Sequence, residues 1–259
     1  MDKRILARIA DEEKRLAISK IIDTVNLASG HCEAKFTHFL DPATIYFINN
    51  NLCFDADVNV CLWGGYDGAE RQMMCASPEW ESVELCDFPI KCIKAQLSDF
   101  DEATHRDYLG SLMGLGIDRA HIGDIVVLSD GAYIFCKSDI ADYITDNLAK
   151  IGRGGVKISI IDDIKDICVT KEEKEEKLII SSFRLDAVLS AAFNISRTQS
   201  AQLVKTCRVK VNFEQCINLS RNLSCGDLIS VRGFGRLKIG EEEGQTRKGR
   251  KVLSVIRYL

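Results

Sequence analysis

Residues 182–236 constrain the fold most, because the hydrophobic period changes within them from that of helices to that of strands. Leu185, Val188, Leu189 and Ala192 recur at helical spacing and place one apolar stripe on a short helix, which Ser181 or Ser182 can cap and which stops near Asn194. Ser196 and Gln199 stand at capping-box spacing ahead of Ala201, Leu203 and Val204, so a second short helix follows directly. Beyond Lys205 the period becomes two. Val209 and Val211 alternate with Arg208, Lys210 and Asn212, and Leu228, Ile229 and Val231 follow a Gly226-Asp227 turn. Two helices back to back, closed by a small sheet, are predicted.

Charge separates this region from the rest. Residues 181–259 hold 14 Lys+Arg against 6 Asp+Glu, whereas residues 1–180 hold 20 against 32. A basic module on an acidic body predicts one face for a polyanion and a remainder that resists nonspecific nucleic-acid association. Arg184-Leu185-Asp186, Ser196-Arg197, the Arg-Val-Lys-Val-Asn run at 208–212, and Gly226-Asp227 before Ile229-Ser230-Val231 resemble the alpha-L RNA-binding domain, named after ribosomal protein S-four. On that resemblance Arg184, Arg197, Lys205, Arg208 and Lys210 are the expected phosphate contacts, and Ser196, Thr198, Gln199 and Asn212 their polar partners. Arg232 and Arg236 extend the patch. Arginine can fork onto phosphate oxygens, while hydroxyl and amide groups offer directional bonds to backbone or base edges. Leu185, Val188 and Val204 are expected in the core.

At 259 residues, with 46% apolar and 28% charged residues, the composition is that of a soluble chain of two or three domains. No apolar run approaches the roughly 18 residues of a membrane span, and the charged amino terminus lacks a signal-peptide core, so a cytoplasmic protein is expected. Eleven cysteines form no C-x-x-C pair and read as small buried residues rather than disulfides or a zinc site. No metal or cofactor is expected.

Residues 2–29 carry Ile5, Ile9, Leu16, Ile21, Ile22 and Val25 among charges, an amphipathic pattern for one bent helix or two that Gly30 can terminate. Residues 35–40 read as extended, Asp41 caps a helix with Pro42 at its first position, and residues 58–63 read as a strand, giving an α+β domain over 1–85. Its Phe39-Leu40-Asp41-Pro42, Gly64-Gly65-Tyr66 and Ala69-Glu70-Arg71 resemble the amino-terminal domain of the YlmH family of bacterial ribosome-associated proteins. Turn and capping chemistry accounts equally for each motif alone.

Residues 86–169 follow the order βαββαβ: strand 90–97, helix 103–115, strands 125–128 and 132–136 about a Gly131 turn, helix 140–151, strand 156–161. That order predicts a ferredoxin-like, RRM-like plait. Tyr133 and Phe135 face one side of it, either to stack bases or to pack against the helices. Thr104-His105-Arg106-Asp107-Tyr108-Leu109-Gly110, Gly114-Leu115-Gly116-Ile117 and Ile122-Gly123-Asp124-Ile125 resemble the YlmH middle domain. His105 and Arg106 either touch RNA phosphate near the helix start, as a second contact, or cap and pair locally. His105-Arg106-Asp107 spells a kinase tripeptide, but no companion kinase motif, G-x-G-x-x-G or phosphate-loop lysine accompanies it. Residues 170–177, TKEEKEEK, have no apolar stripe and are expected as part of a charged linker, 170–180, before the alpha-L domain at 181–259.

The YlmH resemblance is nearly full length. It implies a noncatalytic factor that binds rRNA and peptidyl-tRNA on the large ribosomal subunit in quality control of stalled translation, as a monomer and with other quality-control factors as partners. Alpha-L modules also accompany pseudouridine synthases, tyrosyl-tRNA synthetases and RNA methyltransferases. Here Asp186 of the synthase-like Arg-Leu-Asp opens the binding module with only 73 residues after it, which leaves no room for a catalytic domain. A cell-division scaffold is the third class, and it predicts binding to protein polymers without dependence on RNA.

Overall fold

Asp11 opens the first helix: its carboxylate accepts from the Lys14 N–H at 2.9 Å, and Glu12 and Glu13 fill the first turn, where the helix dipole favours acids. α1 (Glu12–His31) buries Ile18, Ile21, Ile22, Val25 and Ala28, and a 3-10 turn, Lys3–Arg8, precedes it. Gly30 does not end this helix. Cys32 takes the left-handed cap at φ 56°. The computed structural model describes residues 3–9, 11–98, 103–161, 173–247 and 249–258, and the chain divides into two compact units, Met1–Val169 and Thr170–Leu259. The architecture is α+β, with three sheets among the described residues.

In the first unit, β1 (Lys35–Phe36), α2 (Pro42–Asn51), β2 (Val58–Trp63) and β3 (Met73–Pro78) follow α1. Asp41 caps α2 as expected, its carboxylate accepting from the Ala43 and Thr44 N–H groups at 2.9 and 3.0 Å. The sheet order is β1-β3-β2, all antiparallel. Its central strand, β3, is absent from the sequence reading because Met-Met-Cys-Ala-Ser-Pro has neither alternation nor β-branched residues; buried along its whole length, it needs no polar face.

The middle region supplies β4 (Ile90–Leu97), α3 (His105–Gly114), β5 (Ile122–Leu128), β6 (Gly131–Lys137), α4 (Ser138–Asn147), β7 (Lys150–Ile151) and β8 (Gly154–Ile161). The antiparallel order β5-β6-β4-β8-β7 matches the expected plait, with β7 as an added edge. Ile93, Ala95, Ile134 and Cys136 pack with Tyr108 and Leu112 of α3 and Ala141 and Ile144 of α4.

The other face of this sheet is covered by the amino-terminal region. Ile90, Cys92 and Phe135 share one buried cluster with Phe39, Tyr66, Ala69, Met73, Cys75 and Phe88. Phe135 is fully buried under Tyr66, ring centroids 4.8 Å apart, so it packs against neither the helices nor an RNA base. On either side of residue 85 each sheet thus has a core of its own, and this third cluster joins the two.

The second unit contains β9 (Glu173–Ile180), α5 (Leu185–Phe193), α6 (Arg197–Lys205), β10 (Val209–Val211), β11 (Glu214–Gln215), β12 (Leu228–Val231), β13 (Gly235–Gln245) and β14 (Lys251–Tyr258). They form one antiparallel sheet, β11-β10-β12-β13-β14-β9, whose inner face packs under α5 and α6 around Leu185, Val188, Leu189, Val204, Ile229, Leu237 and Val255. The expected linker is thus corrected: 170–172 lie outside the described residues, and from Glu173 onward the segment is an edge strand paired with β14 along eight residues. Its inward positions explain why no apolar stripe was visible. Leu178 and Ile180 are buried, but the next inward position is Glu176, held by Arg257 at 3.0 Å. The Arg257 hydrogen bond, followed by that of Lys174, holds the Glu176 carboxyl below the usual carboxylate range.

Candidate nucleic-acid interface

The start of α5 concentrates opposite charges. Asp186, its carboxylate only 14% exposed, accepts from Arg184 Nε at 3.1 Å and from Arg197 Nη1 at 2.7 Å, while Arg197 Nη2 donates to Ser181 Oγ at 2.7 Å. Burial works to raise the Asp186 pKa, but the hydrogen bonds from Arg184 and Arg197 outweigh it and keep the carboxylate ionised. One partly buried anion thus fixes two guanidiniums that remain about half exposed, which leaves a net positive charge in a held geometry.

A second arginine pair sits where β10 meets β12. The Arg232 N–H donates to Arg208 O at 2.9 Å, and Arg208 Nη2 returns a bond to Arg232 O at 2.7 Å. Cys207, at φ 59°, makes the sharp exit from α6 that delivers Arg208 there. Thr198 and Lys205 are exposed on α6, seven residues apart and so on one side of the helix. Lys210 and Arg236 lie elsewhere. Each is the register partner of Ser230, Lys210 from β10 and Arg236 from β13, and all three stand on the sheet face opposite the helices. Lys238, two residues beyond Arg236 and exposed, shares that face; its period-two spacing from Arg236 was the signal for it. The expected single patch is two surfaces.

Three of the expected polar contacts have structural work in the fold. Ser196 and Gln199 close a capping box on α6, with the Gln199 N–H donating to Ser196 Oγ at 3.1 Å and the Ser196 N–H to Gln199 Oε1 at 2.9 Å. Asn212 is turned inward, 5% exposed and at φ 53°, donating Nδ2–H to Asp227 Oδ1 at 2.8 Å and accepting from the Leu228 N–H at 2.9 Å. The left-handed turn after β10 points the amide at the β12 turn and not outward among the expected polar partners. Asn212→Ala should lower the unit's stability by about 1–3 kcal/mol, by leaving the Leu228 N–H and Asp227 short of a partner, while RNA affinity per folded molecule stays unchanged. Chemical denaturation alongside binding checks this; lost affinity in a fully folded variant would return Asn212 to the interface.

In the first unit, His105 and Arg106 are exposed at the start of α3, but neither caps it. Thr104 is its N-cap, in a capping box with Asp107, which accepts from the Thr104 N–H at 2.8 Å and hydroxyl at 2.6 Å. Although the side chain is exposed, partial desolvation of its ring, then the charge of Arg119, pushes the His105 pKa down.

The motifs of this unit converge nearby. Asp124 accepts from the Tyr66 hydroxyl at 2.7 Å and from the Glu70 and Arg71 N–H groups at 2.7 and 3.0 Å. Arg71 donates to Ile122 O and Phe39 O at 3.0 and 3.1 Å, and Arg119 donates to Gly123 O at 3.1 Å. Gly65, at φ +99°, leaves no room for a Cβ, which would lie 2.5 Å from Phe135; a Cβ at Gly123 would lie 2.7 Å from Phe39. Motifs that alone read as turns and caps together form a joint between the two sheets.

Among the described residues no helix is long and apolar enough to cross a membrane, and no cluster of three His, Cys, Asp or Glu side chains is placed to hold a metal ion.

Comparison with known proteins matches residues 13–79 to a family described as "YlmH, N-terminal" and residues 84–165 to "Putative RNA-binding domain in YlmH". A curated relative, "Ribosome-associated protein quality control protein P2" of Bacillus subtilis (strain 168), is 33% identical over 240 residues, covering 92% of each chain. Among solved structures, "Cell division protein ylmH from Streptococcus pneumoniae" is similar at 23% identity and a TM-score of 0.47, over 59% of this chain and 93% of that one.

Proposed function

The chain belongs to the YlmH family, and from that premise we propose that it is a noncatalytic, ribosome-associated RNA-binding factor, acting on the large subunit, where it engages rRNA and peptidyl-tRNA after translation has stalled. The observation that carries the RNA reading is the pair of held arginine clusters, Arg184 with Arg197 about Asp186 and Arg208 with Arg232, on a unit in which 17 Lys+Arg stand against 10 Asp+Glu over residues 170–259. The relative's name supports the quality-control setting. The two-helix and sheet arrangement of this unit suits an alpha-L type module, with phosphates met by the arginines and by Thr198 and Lys205, and a second strand or backbone by Lys210, Arg236 and Lys238. His105 and Arg106 remain proposed as a lesser contact. Asp186 serves as the anchor of two guanidiniums rather than as a nucleophile.

The protein should sediment with large ribosomal subunits, most strongly with those carrying peptidyl-tRNA, without added metal or nucleotide. Gradient fractionation at low salt, with rRNA analysed for base changes after incubation with purified protein, tests both parts. Equal recovery in ribosome-free fractions would remove the ribosomal assignment, and modified bases would replace the binding factor with an enzyme.

A further inference from the structure

The turn after β3 holds an indole in solvent. Trp80 is 72% exposed and Leu85, five residues on, 52%. Such exposure of a large aromatic is unusual, and here the backbone beneath it is fixed. The Glu79 N–H donates to Asp57 O and the Glu81 N–H to Pro78 O, each at 3.0 Å; Ser77 Oγ donates to Glu81 O at 3.2 Å, and the Glu84 N–H to Asp87 Oδ2 at 2.7 Å. Val83 packs inward on the core that Tyr66 and Phe135 share. Trp80 and Leu85 are therefore carried on an ordered loop, pinned from below, which lowers the entropy cost of binding through them.

The charge around them selects the occupant. Glu79, Glu84 and Asp87 are exposed and Glu81 is half-buried, and no Lys or Arg occurs between Gln72 and Ile90. The unit as a whole, residues 1–169, holds 17 Lys+Arg against 28 Asp+Glu. A nucleic-acid backbone is repelled by such a rim. A guanidinium is favoured twice, stacking on the indole while forking onto a carboxylate, and an apolar neighbour in the same segment meets Leu85.

We propose that Trp80 and Leu85, rimmed by Glu79, Glu84 and Asp87, form a docking surface for an arginine-rich segment of a protein partner. This surface is separate from the RNA-binding reading of the basic unit and stands without it. The test uses the full chain and, in separate titrations followed by anisotropy, a fluorescein-labelled peptide of alternating arginine and leucine and a fluorescein-labelled uridine oligonucleotide. Trp80→Ala should weaken the peptide by about tenfold or more, Trp80→Phe by less, and Glu79→Gln with Glu84→Gln by a similar factor that shrinks as salt rises. The charge-matched pair Glu12→Gln with Glu13→Gln, exposed on α1, should stay within about twofold of wild type, because it removes the same charge away from the indole. Trp80→Ala binding the peptide within about twofold of wild type, equal loss in the α1 pair, or a loss of oligonucleotide binding in Trp80→Ala as large as the loss of peptide binding would each overturn the proposal. Absence of any peptide binding would do so too.

Discussion

Replacing Arg197 and Arg208 together by alanine should weaken association with large-subunit RNA by about 3 to 6 kcal/mol before compensation, since each charge-assisted contact to phosphate is worth roughly 1.5–3 kcal/mol. The two sites belong to the two different arginine pairs, so each loses one member and keeps the other: Arg184 stays on Asp186, and Arg232 keeps its backbone bond to residue 208. Folding should survive, with stability moving by about 1 kcal/mol or less per site, because the Arg197 side chain is 51% exposed and its ion pair is screened. About five phosphate contacts give a log-affinity against log-salt slope near −3.5 to −4.5, and deleting two should flatten it by roughly 1.5. A salt titration of both proteins on purified rRNA and large subunits, with circular dichroism as the folding check, reads both quantities. Unchanged affinity and slope in a folded double variant would take these arginines out of the interface.

Asp124→Ala should cost the first unit about 3–5 kcal/mol and uncouple its two sheets. The carboxylate meets a tyrosine hydroxyl and two backbone N–H groups, and its charge acts on the guanidinium of Arg119 and, after that of Asp41, on the guanidinium of Arg71. Burial, then the charge of Arg71, already pushes Arg119 down to about 10, and removing the nearby anion leaves Arg119 against carbonyl oxygens, while Arg71 keeps Asp41 as an acid neighbour. Tyr66→Phe should cost about 1 kcal/mol, because one hydrogen bond goes while the stack on Phe135 stays. In urea, wild type should unfold the unit in a single step by Trp fluorescence and circular dichroism alike, whereas Asp124→Ala should show an earlier midpoint with the two probes separated. A midpoint equal to that of wild type, or additive effects in the Tyr66 and Asp124 double variant, would show that the joint is not one network.

The same residues show why the joint was only partly legible. Gly64-Gly65-Tyr66, Ala69-Glu70-Arg71 and Ile122-Gly123-Asp124 were recognisable as a family signature, yet their physical task depends on a partner more than fifty residues away, and local spacing carries no information about it. Tyr133 and Phe135 were correctly put on one side of their strand by the two-residue period, but what covers that side is decided by the neighbouring sheet. Among the candidate contacts, the resemblance proposes the arginines, but nothing local in the chain tells that Asp186 gathers two of them.

What the sequence determined by itself is everything with a local cause: the cap at Asp41 and the box at Ser196 and Gln199, the apolar stripe of α5, the βαββαβ order, and the basic module on an acidic body. Only the tertiary structure decided that Glu173–Ile180 is a strand, since an inward Glu176 is admissible solely because Arg257 arrives from β14 to neutralise it. It likewise decided that β3 lies at a sheet centre, that Asn212 serves the fold, and that Lys210 and Arg236 face away from the helices. The reason is common to all of these. A period reports which side of an element is buried, whereas the identity of what buries it is set by contacts between segments distant in the chain.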